Sequence, residues 1–157
     1  MIAGISGRLS AMVSVHSEPD LVTDAGLLGI LEELKRREPL FHRRDIVASR
    51  EDFERETAED FWETGASGSR YSRAFVWSVL SERYVGDEAD EYEAEGWTMS
   101  DEHLREAGPR TYLLTYTLRQ RDRLTRRLTV WQGSPQDGWK ALYHQGTVVS
   151  PPEAPAG

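Results

Sequence analysis

Glu63 is the acidic side chain best placed for proton transfer, because it lies between Trp62 and Thr64 on a predicted short strand. If this strand faces the interior of the fold, loss of hydration raises the pKa of the carboxyl group and lets it act as a general acid or base. The alternative is an ion pair with an arginine at a pocket rim or sheet edge, which gives the glutamate a structural role. Glu63 is therefore the candidate catalytic residue.

Two adjacent arginines, Arg126 and Arg127, lie on a later predicted strand. Because successive side chains of a strand point to opposite faces, only one of the two can face the interior. Arg127 shares its face with Trp131, so we expect Arg127 to be the inner residue, where its planar guanidinium can bind an anion or pair with Glu63. The alternative for either arginine is an exposed or dimer-facing position.

Tyrosine hydroxyls are a further source of hydrogen bonds for a ligand. Tyr116 lies on a predicted strand, and a buried tyrosine usually finds a partner for its hydroxyl group. That group can donate to a ligand carbonyl, as an oxyanion-stabilising group does. Packing in the core or in a dimer interface is the alternative for Tyr116, and the same two interpretations apply to Tyr71 and Tyr143.

The sequence predicts no metal site and no cofactor. The four histidines, His16, His42, His103 and His144, lack metal-ligand spacing, and the chain has no cysteine. No HExxH, EF-hand or glycine-rich phosphate motif is present. Ser67 lies in a GASG sequence rather than a GxSxG motif, so nucleophilic serine catalysis is not expected.

The elements that must position these residues change character halfway along the chain. Apolar residues at helical spacing predict a first helix over 27–34, a second short helix from Ser49 and a third helix over 72–83, with a short strand at 61–64. The second half is rich in β-forming residues and predicts strands at 111–118, 124–132 and 139–149, with one more around Trp97. Helices followed by antiparallel strands indicate an α+β fold.

Two passages, FWETGASGSRYSR at 61–73 and RRLTVWQGSPQDGWKALYHQGT at 126–147, resemble the nuclear transport factor 2-like superfamily. The resemblance covers about 21–149 and is strongest to uncharacterised bacterial members related to polyketide-cyclase-like (SnoaL-like) proteins and to the association domain of calcium/calmodulin-dependent kinase II. It implies a cone-shaped fold, with about three N-terminal helices packed on a curved, mainly antiparallel sheet. It also implies a pocket at the open end and a homodimer formed through the sheet. The superfamily contains isomerases, dehydratases and non-catalytic modules, so the fold does not select an activity.

The resemblance also bears on individual residues. Related association domains have a glutamate at the position of Glu63. Related domains often have a histidine and, two residues later, a serine near the end of the last strand, where this chain has Gln145 and Thr147. His144 lies one residue earlier, so we expect it to face away from the pocket. Gln145 is then a neutral hydrogen-bonding group in the pocket.

The net charge of the chain is concentrated in one segment. The formal charge is −8, and ten acids against two bases between Glu82 and Glu106 account for all of it. Six of these acids lie in Asp87 to Glu95, which predicts a solvated loop or, alternatively, a docking surface for a basic partner. An acidic chain argues against a nucleic-acid partner, and no apolar run is long enough to predict a membrane span.

We therefore predict a cytoplasmic, homodimeric small-molecule-binding domain at 21–149, preceded by a disordered leader at 1–20 and followed by a flexible proline-rich tail at 150–157. The ligand is an unidentified small organic molecule. The alternatives are an isomerase- or dehydratase-type enzyme with Glu63 as general base, or a non-catalytic dimerisation or protein-interaction module. Besides Glu63, the predicted ligand-binding residues are Trp62, Tyr71, Tyr116, Arg127, Trp131 and Gln145.

Overall fold

The computed structural model describes residues 17–85 and 96–150. A short 3-10 helix, Ala25–Leu27, leads into three α-helices, which are α1 (Leu28–Lys35), α2 (Arg50–Glu56) and α3 (Arg73–Val85). The six strands are β1 (Thr57–Thr64), β2 (Arg70–Ser72), β3 (Thr98–Gly108), β4 (Thr111–Gln120), β5 (Arg123–Ser134) and β6 (Gly138–Val148). The predicted α+β class, with three N-terminal helices, is confirmed.

Local sequence explains where the helices begin and end. Leu31 and Leu34 bury the apolar stripe of α1, which stops at Lys35, ahead of Pro39. Ser49 caps α2, because its hydroxyl accepts a hydrogen bond of 3.2 Å from the backbone N–H of Asp52. The predicted starts of all three helices, and the predicted ends of the first and third, are close to those observed.

The strands form one sheet in the order β2-β1-β6-β5-β4-β3. Among the strands of the described residues, only the β1–β6 pair is parallel, so the sheet is mainly antiparallel, as predicted. β1 begins at Thr57, four residues before the predicted start, and β2 was not predicted. The β5–β6 hairpin requires glycine at Gly133, where φ is 140° and a Cβ atom would lie 2.0 Å from a carbonyl oxygen.

A bulge in β6 decides which of its side chains face the core. Val130 pairs with Tyr143 and Trp131 pairs with Ala141, so Leu142 is an extra residue in β6. An extra residue reverses the alternation of side chains beyond it. Trp139 and Ala141 face the core before the bulge, and His144 faces the same side after it.

Some predictions fall on residues outside the described part of the chain. They are the structure of 1–16, the acidic run Asp87 to Glu95 and the tail at 151–157. The domain limits drawn from the sequence stay predictions. No helix within the described residues is long and apolar enough to cross a membrane.

Candidate functional site

A cavity of about 910 Å³ lies against the inner face of the sheet. Its walls come from the loop after α1, the end of β1, helix α3, the β4–β5 turn, and strands β5 and β6. The cavity therefore lies where the N-terminal helices meet the sheet, and residues far apart in the sequence converge on it.

One wall of the cavity is apolar. Phe75 and Val79 of α3 face it and keep 50% and 38% of their surface exposed. Tyr71 stacks on Phe75 with ring centroids 5.1 Å apart. Gly65 leaves room for this tyrosine, since a Cβ atom at Gly65 would lie 2.9 Å from the Tyr71 ring. The aromatic and aliphatic surface is suited to the apolar part of a ligand.

Arg127 and Glu63 are half-buried charged residues of the cavity wall. Arg127 pairs across the sheet with Tyr116 on one side and Gly146 on the other. Its Nε atom donates to the hydroxyl of Thr125 at 3.1 Å. Within residues 17–85 and 96–150, no carboxylate lies within 4.0 Å of the Arg127 guanidinium.

The half-buried Glu63 carboxyl lies in the field of two arginines. Burial raises its pKa above the ordinary value of 4.5, while the positive charges of Arg127 and Arg83 oppose that rise. In the described part of the chain, Glu63 forms no ion pair with either arginine. The carboxyl group is thus exposed to the cavity without a direct partner there, which leaves it available to a ligand.

Two histidines line the cavity in the neutral form. Burial, with a further contribution from the Arg127 charge, lowers the pKa of His144 to about 3. Burial and the charges of Arg127 and Arg83 lower the pKa of His42 well below its ordinary value. A neutral imidazole offers one donor and one acceptor, so His144 can bind a polar ligand group without adding charge.

His144 is connected to a second acidic residue, Glu38, which is fully buried. The Nδ1 atom of His144 lies 2.8 Å from the hydroxyl of Thr129, and that hydroxyl also hydrogen-bonds to Glu38. When Thr129 donates its proton to Glu38, it accepts one from Nδ1 of His144. The Nε2 atom of His144 is then an acceptor for a group in the cavity.

Three side-chain donors and the backbone N–H of Leu40 surround the Glu38 carboxyl group. The Tyr116 hydroxyl donates at 2.7 Å, the Trp131 indole N–H at 3.1 Å, and Thr129 supplies the third contact. Burial raises the pKa of Glu38, and these hydrogen bonds counteract the rise. Sequence reasoning missed Glu38, since an acid before Pro39 at the end of a helix has the pattern of an exposed residue.

The structure brings some of the predicted site residues together. Glu63, Tyr71 and Arg127 line the cavity. Tyr116 and Trp131 lie in the core behind its wall, where they hold Glu38 rather than face the cavity.

The other predicted site residues lie on the outer face of the sheet. Trp62 packs against Tyr143, with ring centroids 4.6 Å apart, and Gln145 accepts a hydrogen bond of 2.8 Å from the Tyr143 hydroxyl. The expectation that Gln145 faces the pocket and His144 faces away is therefore corrected. The bulge at Leu142 is the cause, because it brings His144 to the inner face.

Metal binding has no support in the described residues, since 17–85 and 96–150 contain no group of three or more histidines and acids able to hold an ion.

Comparison with known proteins finds solved structures with a similar fold. No family model and no curated protein matches the sequence. The fold is similar to an NTF2-like protein from Cytophaga hutchinsonii, with a TM-score of 0.52 and 15% identity over 82% of this chain and 100% of that one. It is also similar to an NTF-2 like protein of unknown function from Pseudomonas aeruginosa, with a TM-score of 0.56 and 12% identity over 76% and 99% of the two chains.

A third similar structure is a ketosteroid isomerase-like protein from Erwinia carotovora atroseptica, with a TM-score of 0.53 and 12% identity over 82% of this chain and 100% of that one. At these identities the likeness establishes the architecture and leaves the activity open. The helices, the strand order and these structures agree that this chain has the NTF2-like fold.

Proposed function

We propose that this chain is a small-molecule-binding domain whose ligand occupies the cavity. The observation that carries the proposal is the cavity itself, because its volume of about 910 Å³ lies within the range of ligand sites in proteins. An apolar wall faces polar groups of Arg127, Glu63 and His144, which is the combination expected of a site that orients an organic molecule. A cone filled by side chains would instead favour an interaction module.

Filling the cavity tests this proposal. Gly146 lies opposite Arg127, and a Cβ atom there would meet nothing within 4 Å. We expect Gly146→Leu to project into the empty space and weaken binding of the fluorescent probe 8-anilinonaphthalene-1-sulfonate by about tenfold or more. Fluorescence titration gives the affinities, and circular dichroism checks the fold.

Thr147→Leu is the matched control for this variant, because Thr147 is the next residue on the same strand and is exposed. It is expected to bind the probe as the wild type does. Equal probe binding by Gly146→Leu and the wild type would place the probe outside the cavity and contradict the proposal.

The second candidate function is proton transfer of the isomerase or dehydratase type, with Glu63 as the general base. The raised pKa of Glu63 favours it, because a base is more effective when its pKa is closer to the working pH. The Arg127 guanidinium can stabilise the negative charge that develops on the substrate.

For this activity we expect Glu63→Gln to abolish turnover while thermal unfolding stays unchanged. The pH–rate profile of the wild type should show its acidic limb above the ordinary glutamate value of 4.5, as the raised pKa requires. Hydrogen–deuterium exchange at the α-carbon of candidate ketones measures the step by NMR. Wild-type exchange rates in Glu63→Gln would reject the role.

Cytoplasmic localisation stays a prediction. We also propose that the protein is a homodimer formed through the outer face of the sheet. Trp62 keeps 43% of its surface exposed on that face, where it packs against Tyr143. Trp62→Glu would bury a charge in the interface, so it is expected to halve the mass measured by light scattering, from twice the 17.9 kDa chain mass to a single chain. Gln136→Glu, in the exposed β5–β6 turn, is the control. A wild-type mass of one chain would contradict dimerisation.

A further inference from the structure

We infer that the ligand carries a carboxylate group, which Arg127 binds at the cavity wall. This inference rests on the proposed small-molecule site and names its ligand class, an organic acid with an apolar body. The first support is the position of Arg127, a half-buried guanidinium that lines a cavity with an apolar wall. A charge held in such a place needs a compensating group.

The hydrogen bond of Arg127 to Thr125 uses the Nε atom and leaves the two terminal nitrogen atoms of the guanidinium available to a ligand. The Nε atom donates to Thr125, which fixes the orientation of the side chain. In residues 17–85 and 96–150, no carboxylate pairs with its guanidinium. The planar end of an arginine matches the two oxygens of a carboxylate, so the missing partner has the chemistry of an organic acid.

There is room for that partner beside Arg127. Its cross-strand neighbour on β6 is Gly146, which has no side chain and open space where one would project. On the other side, the Tyr116 hydroxyl is held by Glu38 and does not compete for the guanidinium. A carboxylate can therefore approach Arg127 from the Gly146 side.

The surrounding charges favour an anion, although the chain as a whole is acidic. The described cavity lining contains four arginines and two acids, and its two histidines are neutral. Arg127 is a common source of positive charge acting on Glu63, His42 and His144. Among the described lining residues, arginines thus outnumber acids, in contrast to the net charge of −8.

The charge of Glu63 is expected to affect the affinity for a carboxylate. Its carboxyl group lies in the field of the same arginine, so it competes electrostatically with a bound carboxylate. Replacing Glu63 by glutamine removes this competition. Carboxylate affinity should therefore increase in Glu63→Gln, whereas a purely structural glutamate would give no such gain.

The experiment is calorimetric titration at low salt with straight-chain carboxylates from butyrate to decanoate, each paired with its primary amide. In the wild type, the best acid is expected to bind about tenfold or more tightly than its amide. Arg127→Gln should abolish that preference, and Arg127→Lys, which keeps the charge without the fork, should reduce it. Glu63→Gln should strengthen acid binding several-fold and so widen the difference in affinity between each acid and its amide.

Arg126→Gln is the matched control, because Arg126 is the adjacent residue and points to the outer face, where it pairs with Asp101 at 3.0 Å. It should bind every probe as the wild type does. Equal affinities for acids and amides, or an unchanged preference in Arg127→Gln, would overturn the inference. Absence of acid binding up to about 10 mM would overturn it too. If the fluorescent probe still occupies the cavity in that case, the small-molecule site stands and only its ligand class is wrong.

Discussion

Replacing Glu38 by alanine is expected to lower the free energy of unfolding by about 3–5 kcal/mol. Glu38 has no exposed surface and accepts hydrogen bonds from the Tyr116 hydroxyl and the Trp131 indole N–H. Alanine leaves both donors without a partner and opens a void in the core. Urea unfolding followed by tryptophan fluorescence measures the loss, provided that the variant unfolds in one transition.

A second glutamate–tryptophan hydrogen bond provides the control for this prediction. Glu33 accepts from the Trp139 indole N–H at 3.0 Å, but this carboxylate is only half-buried. Water can replace it, so Glu33→Ala should cost about 1 kcal/mol or less. Equal losses in Glu33→Ala and Glu38→Ala would show that the burial of Glu38 contributes nothing to its effect.

The second large effect concerns acid stability and His144. Its pKa is about 3 in the folded protein and near 6.5 in the unfolded chain. As the pH falls below 6.5, His144 becomes protonated in the unfolded state, whereas in the folded state it stays neutral until about pH 3. The free energy of unfolding therefore does not depend on His144 titration above pH 6.5. As the pH falls towards 3, the free energy of unfolding decreases by about 5 kcal/mol in total.

The comparison of wild type with His144→Gln isolates this contribution. His42, whose pKa is lowered mainly by burial and only in part by His144, is present in both proteins, so most of its contribution cancels in the difference. Between pH 6 and pH 3.5, we expect the free energy of unfolding of the wild type to fall more steeply than that of His144→Gln, by about 1 kcal/mol per pH unit. Parallel pH dependences in the two proteins, or an NMR titration of His144 near pH 6.5, would contradict the buried neutral state.

Local pattern was sufficient to predict most of the fold. The apolar stripe ending at Leu34 and the cap at Ser49 gave the first two helices, because both signals depend on neighbours in the sequence. The edge strand β2 was missed, since its three residues acquire strand geometry by pairing with β1. Alternation along β5 correctly separated Arg126 from Arg127, because β5 alternates regularly between these residues and Trp131.

The site was harder to predict because it depends on long-range features. A single extra residue, Leu142, determines whether His144 or Gln145 faces inward, and no local motif marks it. Glu38 is 78 residues from Tyr116 and 93 from Trp131, and its burial follows from packing against β4 and β5. When a side chain is bound by partners far away in the sequence, its sequence neighbours do not indicate those contacts.

A crystal structure of the protein with the tightest-binding carboxylate of the series would show whether the cavity holds an organic acid. We predict density for the alkyl chain along Phe75 and Val79, with both carboxylate oxygens within hydrogen-bond distance of the Arg127 guanidinium. An empty cavity with the probe on another surface would contradict the claim. So would an acid bound in the cavity with its carboxylate turned away from Arg127.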